Sequence, residues 1–245
     1  MVSIKQSKFI KSLKIKKYRV KEKSFIAEGR KNVIEGIHSD FKLKLLLATA
    51  EFLDDNAQVL DFVGNKVVEV SNQILEEHGT FVTNDDCLAI FEIPDYKMDE
   101  SMFEDHVIAL DGLSDPGNLG TIIRTMDWFG LRHLVCSRDT ADIYNPKVIN
   151  ATMGSYTRVK VYYTDLQEFI GASRLCAYGA DLDGTPLSQW NVDQKSILVM
   201  GSESHGISDL VKSLLKSRVT IEKLGEAESL NVGIATGILC HHLRS

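Results

Sequence analysis

The sequence predicts an α/β protein of two domains, the larger built on a mostly parallel sheet. Three observations carry this. Short β-type apolar runs alternate with helical segments along the 245 residues. An acidic stretch at 94–105, opened by Pro94 and poor in apolar periodicity, separates two such series. The strands of the second series are apolar throughout, as in a sheet covered on both faces.

In chain order, strand-like runs lie at Ser24 to Ala27, Lys42 to Ala48, Val67 to Ser71 and Cys87 to Ile93. Between them, helical patterns span Glu28 to Ile37, a segment around Phe52 to Leu60, and Asn72 to His78, giving a small α/β domain. After the linker, strands are expected at Val107 to Leu110, Arg132 to Cys136, Arg158 to Tyr162, Leu175 to Ala180, Ile197 to Met200 and Arg218 to Ile221. Helices fall at Thr121 to Phe129, Pro146 to Met153, Asp165 to Ser173, Ser208 to Lys216 and Leu230 to Leu243. The boundaries are set at 1–97 and 104–245.

Composition narrows the function classes. With 44% hydrophobic and 25% charged residues the chain is globular, not fibrous or disordered. No apolar run is long enough to span a membrane, and the lysine-rich start does not read as a secretion signal, so a soluble, cytoplasmic protein is expected. Cys87, Cys136, Cys176 and Cys240 are too dispersed for a zinc site or disulfide framework, and no metal is expected. A net charge of -6 speaks against nucleic acid until it is divided. Residues 1–44 hold 13 lysines and arginines against 4 acids, a net of +9, leaving -15 for the rest. The basic run from Lys5 to Lys21 reads either as a solvated helix face or as a phosphate-contacting arm.

In open parallel sheets ligands bind beyond the carboxyl ends of strands. Three such loops stand out. In Asp111 to Gly120 a Pro-Gly turn leads to Asn118, and Arg124 follows on a helix with a planar fork suited to phosphate or carboxylate. Asn118 reads equally as a plain helix cap. The loop Leu198 to Ile207 places Glu203 between two glycines, either facing a ligand or capping the helix near Ser208. The segment Ile221 to Asn231 runs into a final helix whose Gly233 and Gly237 permit close approach to the sheet or to a second subunit. No Gly-x-Gly-x-x-Gly, phosphate loop or nucleophile elbow occurs, which disfavours nicotinamide, ATP and serine-hydrolase chemistry.

Taken together, Asp115 to Thr125, Leu198 to Ile207 and Ser229 to Val232 resemble, in order and spacing, the three signature motifs of the SpoU/TrmH family of RNA ribose 2'-O-methyltransferases, within the SPOUT superfamily. Asn145 to Ile149 and Ala151 to Ser155 are similar to an intermediate element of that family. Lys17-Tyr18-Arg19 and Phe25 to Arg30 resemble a substrate-binding domain of L30e-like fold. The resemblance implies a C-terminal fold with a deep trefoil knot, S-adenosylmethionine as cofactor, a homodimer, and structured RNA as partner, rRNA ahead of tRNA. It implies cofactor contacts at Gly201, Ile221 and Leu230, and a catalytic surface of Asn118, Arg124, Glu203, Ser229 and Asn231. The glycine-bearing last helix would pack at the knot and dimer interface. The family assigns proton abstraction to the arginine matching Arg124, yet a guanidinium is effectively always protonated, so its expected role is to anchor phosphate and oxyanion, with relay of the proton left as the open alternative. Two positions depart from the pattern: Glu222 stands where proline is usual, and Asn150 where arginine is common. The competing class is a non-catalytic RNA-binding or ribosome-assembly protein on the same fold. Deleting residues 1–21 is expected to weaken RNA binding and flatten its salt dependence.

Overall fold

The computed structural model describes residues 2–81, 86–192 and 194–245, and of residues 59–61 the backbone alone. Met1, inside the expected N-terminal domain, lies outside them. The chain divides into two compact units, one of residues 1–95 with 142–157, the other of residues 96–141 with 158–245.

The first unit opens with two helices. In α1 (Ile4–Ser12) Ser3 and Gln6 form a reciprocal capping box, and α2 (Lys16–Glu22) ends at Lys23 in the left-handed conformation. The basic run is therefore helical. Strands β1 (Ser24–Glu28), β2 (Leu43–Ala48), β3 (Val67–Glu69) and β4 (Cys87–Glu92) form a sheet in the order β1-β4-β2-β3. β4 pairs antiparallel with β1 and β2, and β2 pairs parallel with β3. The connections carry α3 (Arg30–Ile37), α4 (Ala50–Asp55), α5 (Leu60–Val63) and α6 (Asn72–His78). One core joins Ile10 and Leu13 to Ile26, Leu45, Leu47, Leu75, Leu88 and Ile90.

Although β1 is an edge strand, all five of its residues are buried. The cover includes residues 142–157, which hold α8 (Pro146–Thr152) and pack here although they lie within the expected second domain. Tyr144 and Tyr156 join Phe25, Phe41 and Phe91 in an aromatic cluster, and the Tyr156 hydroxyl donates to the Asn32 carbonyl at 2.8 Å. At Gly36 a Cβ would stand 2.4 Å from the Tyr156 hydroxyl, so only glycine admits that ring. Sequence order assigned the segment to the second domain; aromatic burial assigns it to the first.

The second unit is a six-stranded, all-parallel sheet. Its strands are β5 (Val107–Asp111), β6 (His133–Ser137), β7 (Lys160–Thr164), β8 (Cys176–Pro186), β9 (Ser196–Gly201) and β10 (Ser217–Thr220), in the order β10-β8-β9-β5-β6-β7. Helices α9 (Leu166–Ala172) and α10 (Asp209–Lys212) bury Leu166, Ile170 and Val211 against Val107, Ala109, Val135, Ile197 and Val199. Alternation turns Ile108, Leu110, Leu134, Leu198 and Met200 to the other face. There α7 (Pro116–Trp128) packs against α11 (Val232–Arg244). Helix α7 begins five residues before its apolar periodicity does, because Asp115 caps it and Pro116 occupies its first turn. The expected Pro-Gly turn is in fact a helix start. Strand β8 runs six residues beyond its expected end, and α10 is a single turn rather than the expected nine residues. Among the described residues no helix is long and apolar enough to cross a membrane.

Candidate active site

Asp115 Oδ1 accepts from the Asn118 backbone N–H at 2.7 Å, which settles the cap and leaves the Asn118 side chain available. Its Nδ2 donates to Glu203 Oε1 at 2.6 Å, and its Oδ1 accepts from Asn231 Nδ2 at 2.9 Å. Asn231 in turn caps α11, its Oδ1 accepting from the Gly233 and Ile234 N–H groups at 2.9 and 3.3 Å. A continuous chain Asn231, Asn118, Glu203 thus joins all three loops. It also fixes which way the Asn118 amide faces, since a carboxylate accepts only from the nitrogen. Among the described residues Glu203 caps no helix; the N-cap of α10 is Ser208, with its N–H held by Asp111 Oδ2 at 2.8 Å.

Beside this chain lies a cavity of about 750 Å³. Met200, Gly201, Val219, Ile221, Leu230 and Leu239 give it apolar and backbone surface; Glu203, Ser229 and Asn231 stand at its polar side. A Cβ on Gly201 would approach the Gly206 carbonyl carbon to 2.1 Å, so the narrow loop closed by the Ser202–Gly206 bridge requires glycine there. Gly201, Ile221 and Leu230 therefore meet on one cavity, as do Glu203, Ser229 and Asn231. Ser229 stays outside the hydrogen-bonded chain, on an exposed loop.

Arg124 is not among the cavity's lining residues. On α7 the stripe Asn118, Thr121, Thr125 faces α11, while Ile122, Ile123 and Met126 are buried. Arg124 falls outside both stripes and is exposed, with no ion pair or hydrogen bond among the described residues. Gly233 is accounted for by this contact, since a Cβ there would meet the Thr121 methyl at 3.1 Å; at Gly237 a Cβ would stand at an ordinary 3.7 Å from the Thr125 methyl. Gly233 serves helix packing within the chain.

Sequence reasoning missed several wall residues. The overrun of β8 brings Asp181 and Leu182 to the cavity, and α10 brings Lys212, whose Nζ lies 3.2 Å from Asp181 Oδ2. Hydrogen bonds from Lys212 and neighbouring backbone outweigh desolvation and hold the Asp181 carboxyl below its ordinary range. Glu222, the departure from the expected proline, accepts from the Ser188 N–H at 3.2 Å and from its hydroxyl, which lowers its pKa. No pattern in sequence pairs residues 34 apart across two loop ends. His241 rests on the Phe129 ring and His242 Nε2 bonds the Trp190 carbonyl at 2.7 Å, giving the adjacent histidines structural partners.

Comparison with known proteins places this geometry. Residues 105–241 match the SpoU rRNA Methylase family, and residues 5–89 an MRM3-like substrate binding domain. The chain is 29% identical over 239 residues to the 23S rRNA (guanosine(2553)-2'-O)-methyltransferase RlmP of Bacillus subtilis, covering 96% of this chain and 94% of that one. A Porphyromonas gingivalis structure assigned to the TrmH family of RNA methyltransferases is 36% identical, with a TM-score of 0.88 over 100% of this chain and 98% of that one. An AdoMet-bound rRNA methyltransferase from Sinorhizobium meliloti is 28% identical, with a TM-score of 0.86 over 100% and 96%. With more than half of its length matched, and its three loops joined in one site, the chain belongs to the SpoU rRNA methylase family.

Proposed function

We propose that this protein transfers a methyl group from S-adenosylmethionine to a ribose 2'-hydroxyl of structured rRNA, in the cytoplasm and as a homodimer. The observation that carries this reading is the hydrogen-bonded chain Asn231, Asn118, Glu203 at the edge of the cavity, a set of fixed polar groups beside an apolar pocket.

The pocket fits such a cofactor. Its volume of about 750 Å³ lies in the usual range for small-molecule sites. Gly201 exposes backbone, Met200, Val219 and Leu239 offer surface for an aromatic base, and Asp181, Glu203 and Glu228 place negative charge where a sulfonium is to be held. We assign Gly201, Ile221 and Leu230 to its binding. When bound, the cofactor supplies an electrophilic methyl group for in-line displacement.

The residues must then orient the ribose and help the hydroxyl lose its proton. Asn118 is held at both ends of its amide and serves as the rigid element. Asn231 and Glu203 fix it, and Ser229 lies on the same cavity to position the reacting groups. Arg124, unpaired within the described chain, is free to engage the phosphate next to the target and to stabilise the developing oxyanion. Two further elements of the reading rest on family membership: threading of α11 as a trefoil knot, and a second protomer completing the surface around Arg124. The preference for rRNA over tRNA rests on the named activities of RlmP and the S. meliloti enzyme.

The test incubates the protein with methyl-labelled S-adenosylmethionine and ribosomal RNA, then digests with alkali. Label in an alkali-resistant dinucleotide is expected, because a 2'-O-methyl group blocks cleavage at its own nucleotide. Label released as a methylated base would contradict the chemistry. Absence of both cofactor binding and transfer would leave the non-catalytic RNA-binding alternative.

A further inference from the structure

The stretch from Ile221 to Asn231 forms one wall of the cavity, and residues 222–231 are all exposed. Among the described residues no hydrogen bond or ion pair holds residues 223–230. The stretch is fixed at its two ends. At the far end Asn231 is locked into the α11 cap and onto Asn118. At the near end the fixed point is Glu222.

The Glu222 contact follows from strand register. β8 and β10 pair in parallel, with Val219 opposite Thr185 and Thr220 opposite Pro186. Continuing that register sets Glu222 opposite Ser188. Main-chain pairing stops because Pro186 has no N–H and the chain turns at once into a 3-10 turn, Leu187–Gln189. The Ser188 N–H is then an orphan donor at the start of that turn. The Glu222 carboxylate takes this donor and the Ser188 hydroxyl together. A side chain thereby extends the β8–β10 pairing past the end of the sheet and sets the direction in which the loop leaves β10.

We propose that Glu222 is a positioning residue for cofactor binding: its clamp on Ser188 orients the loop 223–230 across the cavity and slows escape of whatever the cavity holds. This rests on the proposed cofactor reading. The negative charge is not required for the geometry, since a glutamine carbonyl oxygen can accept from the same two donors. Removing the Glu222 side chain frees the loop at its near end, whereas removing the Ser188 hydroxyl leaves the N–H contact and loosens it.

The experiment measures S-adenosylmethionine and S-adenosylhomocysteine binding by calorimetry and stopped flow, with amide exchange of residues 223–230 in the ligand-free protein. The full chain and its Glu222→Ala, Glu222→Gln and Ser188→Ala variants are compared. Glu222→Ala is expected to weaken affinity roughly tenfold, mostly through faster dissociation, and to speed exchange in the loop; Ser188→Ala, which keeps the backbone N–H, should do the same to a smaller extent. Glu222→Gln should stay within about twofold of the parent. Parent-like affinity in Glu222→Ala, or a Glu222→Gln defect equal to that of Glu222→Ala, overturns the clamp. A parent protein that binds neither ligand instead overturns the cofactor reading, so the two failures are distinguishable.

Discussion

Asn118 and Arg124 lie six residues apart on α7 and meet opposite circumstances. Asn118 is held on both sides of its amide, whereas Arg124 makes no hydrogen bond or ion pair among the described residues. A guanidinium left unpaired keeps all five donors for a ligand. Arg124→Lys preserves charge and removes the planar fork. Single-turnover methyl transfer is expected to fall roughly 100-fold, in the range found when one transition-state donor is lost. S-adenosylhomocysteine affinity should be unchanged, since Arg124 does not line the cavity. Near-normal transfer by the variant would show that the bidentate role is wrong. Both residue types were legible in sequence, because each sits at a fixed offset from Asp115-Pro116-Gly117. The direction of the Asn118 amide was not, because its partners are 85 and 113 residues away.

At the scale of elements, the basic N-terminal helices have two jobs. Ile10 and Leu13 enter the core, and Arg19, 3% exposed, donates to Asp142 Oδ2 at 2.7 Å and to the Leu13 carbonyl at 2.9 Å. Lys11 pairs with Glu77, and Lys14 reaches the Gly79 carbonyl. Deleting residues 1–21 would therefore unfold part of the first unit. Loss of the Arg19 partner alone strands a largely buried carboxylate, at a cost of about 3 kcal/mol or more. The deletion expected from sequence to report on RNA is confounded by stability. Lys16, Lys17 and Lys21 are exposed on α2 and can be changed without touching the core. The Lys16→Gln, Lys17→Gln, Lys21→Gln variant is expected to keep the parental unfolding temperature. Its slope of log affinity against log salt for rRNA should shrink by about two to three, if each lysine meets a phosphate. Unchanged affinity and slope would make α2 a solvated face. The charge segregation was visible in sequence; which cations the fold consumes was not, since helical spacing does not reveal a partner 123 residues away.

For the whole molecule, buried histidines tie stability to pH. His106 is pushed down from its ordinary value of 6.5 chiefly by desolvation, and its Nδ1 accepts from the Ser196 N–H at 3.2 Å, so the neutral ring suits the fold. His133, stacked on Tyr162, is lowered for the same main reason. With folded values below the unfolded one, the unfolded chain binds more protons as pH drops past 6.5, so stability falls in that direction. The lowered carboxylates Asp105 and Asp181 act the same way, but only below their ordinary 3.8. The unfolding temperature is expected to decline between pH 7.5 and 5.0, and to decline less in a His106→Asn, His133→Asn variant. A flat profile in the parent would contradict the assignment. By itself the sequence determined the α/β class, nearly every strand, the acidic divide near residue 95 and three loops able to make one site, because these follow from local periodicity, turn chemistry and motif spacing. Only tertiary structure decided that residues 142–157 fold with the first unit, that Gly233 of α11 packs on α7, and that Glu222 holds Ser188. Those outcomes depend on which surfaces meet, through aromatic burial, close helix approach and an orphan N–H seeking an acceptor, and no local pattern encodes that meeting.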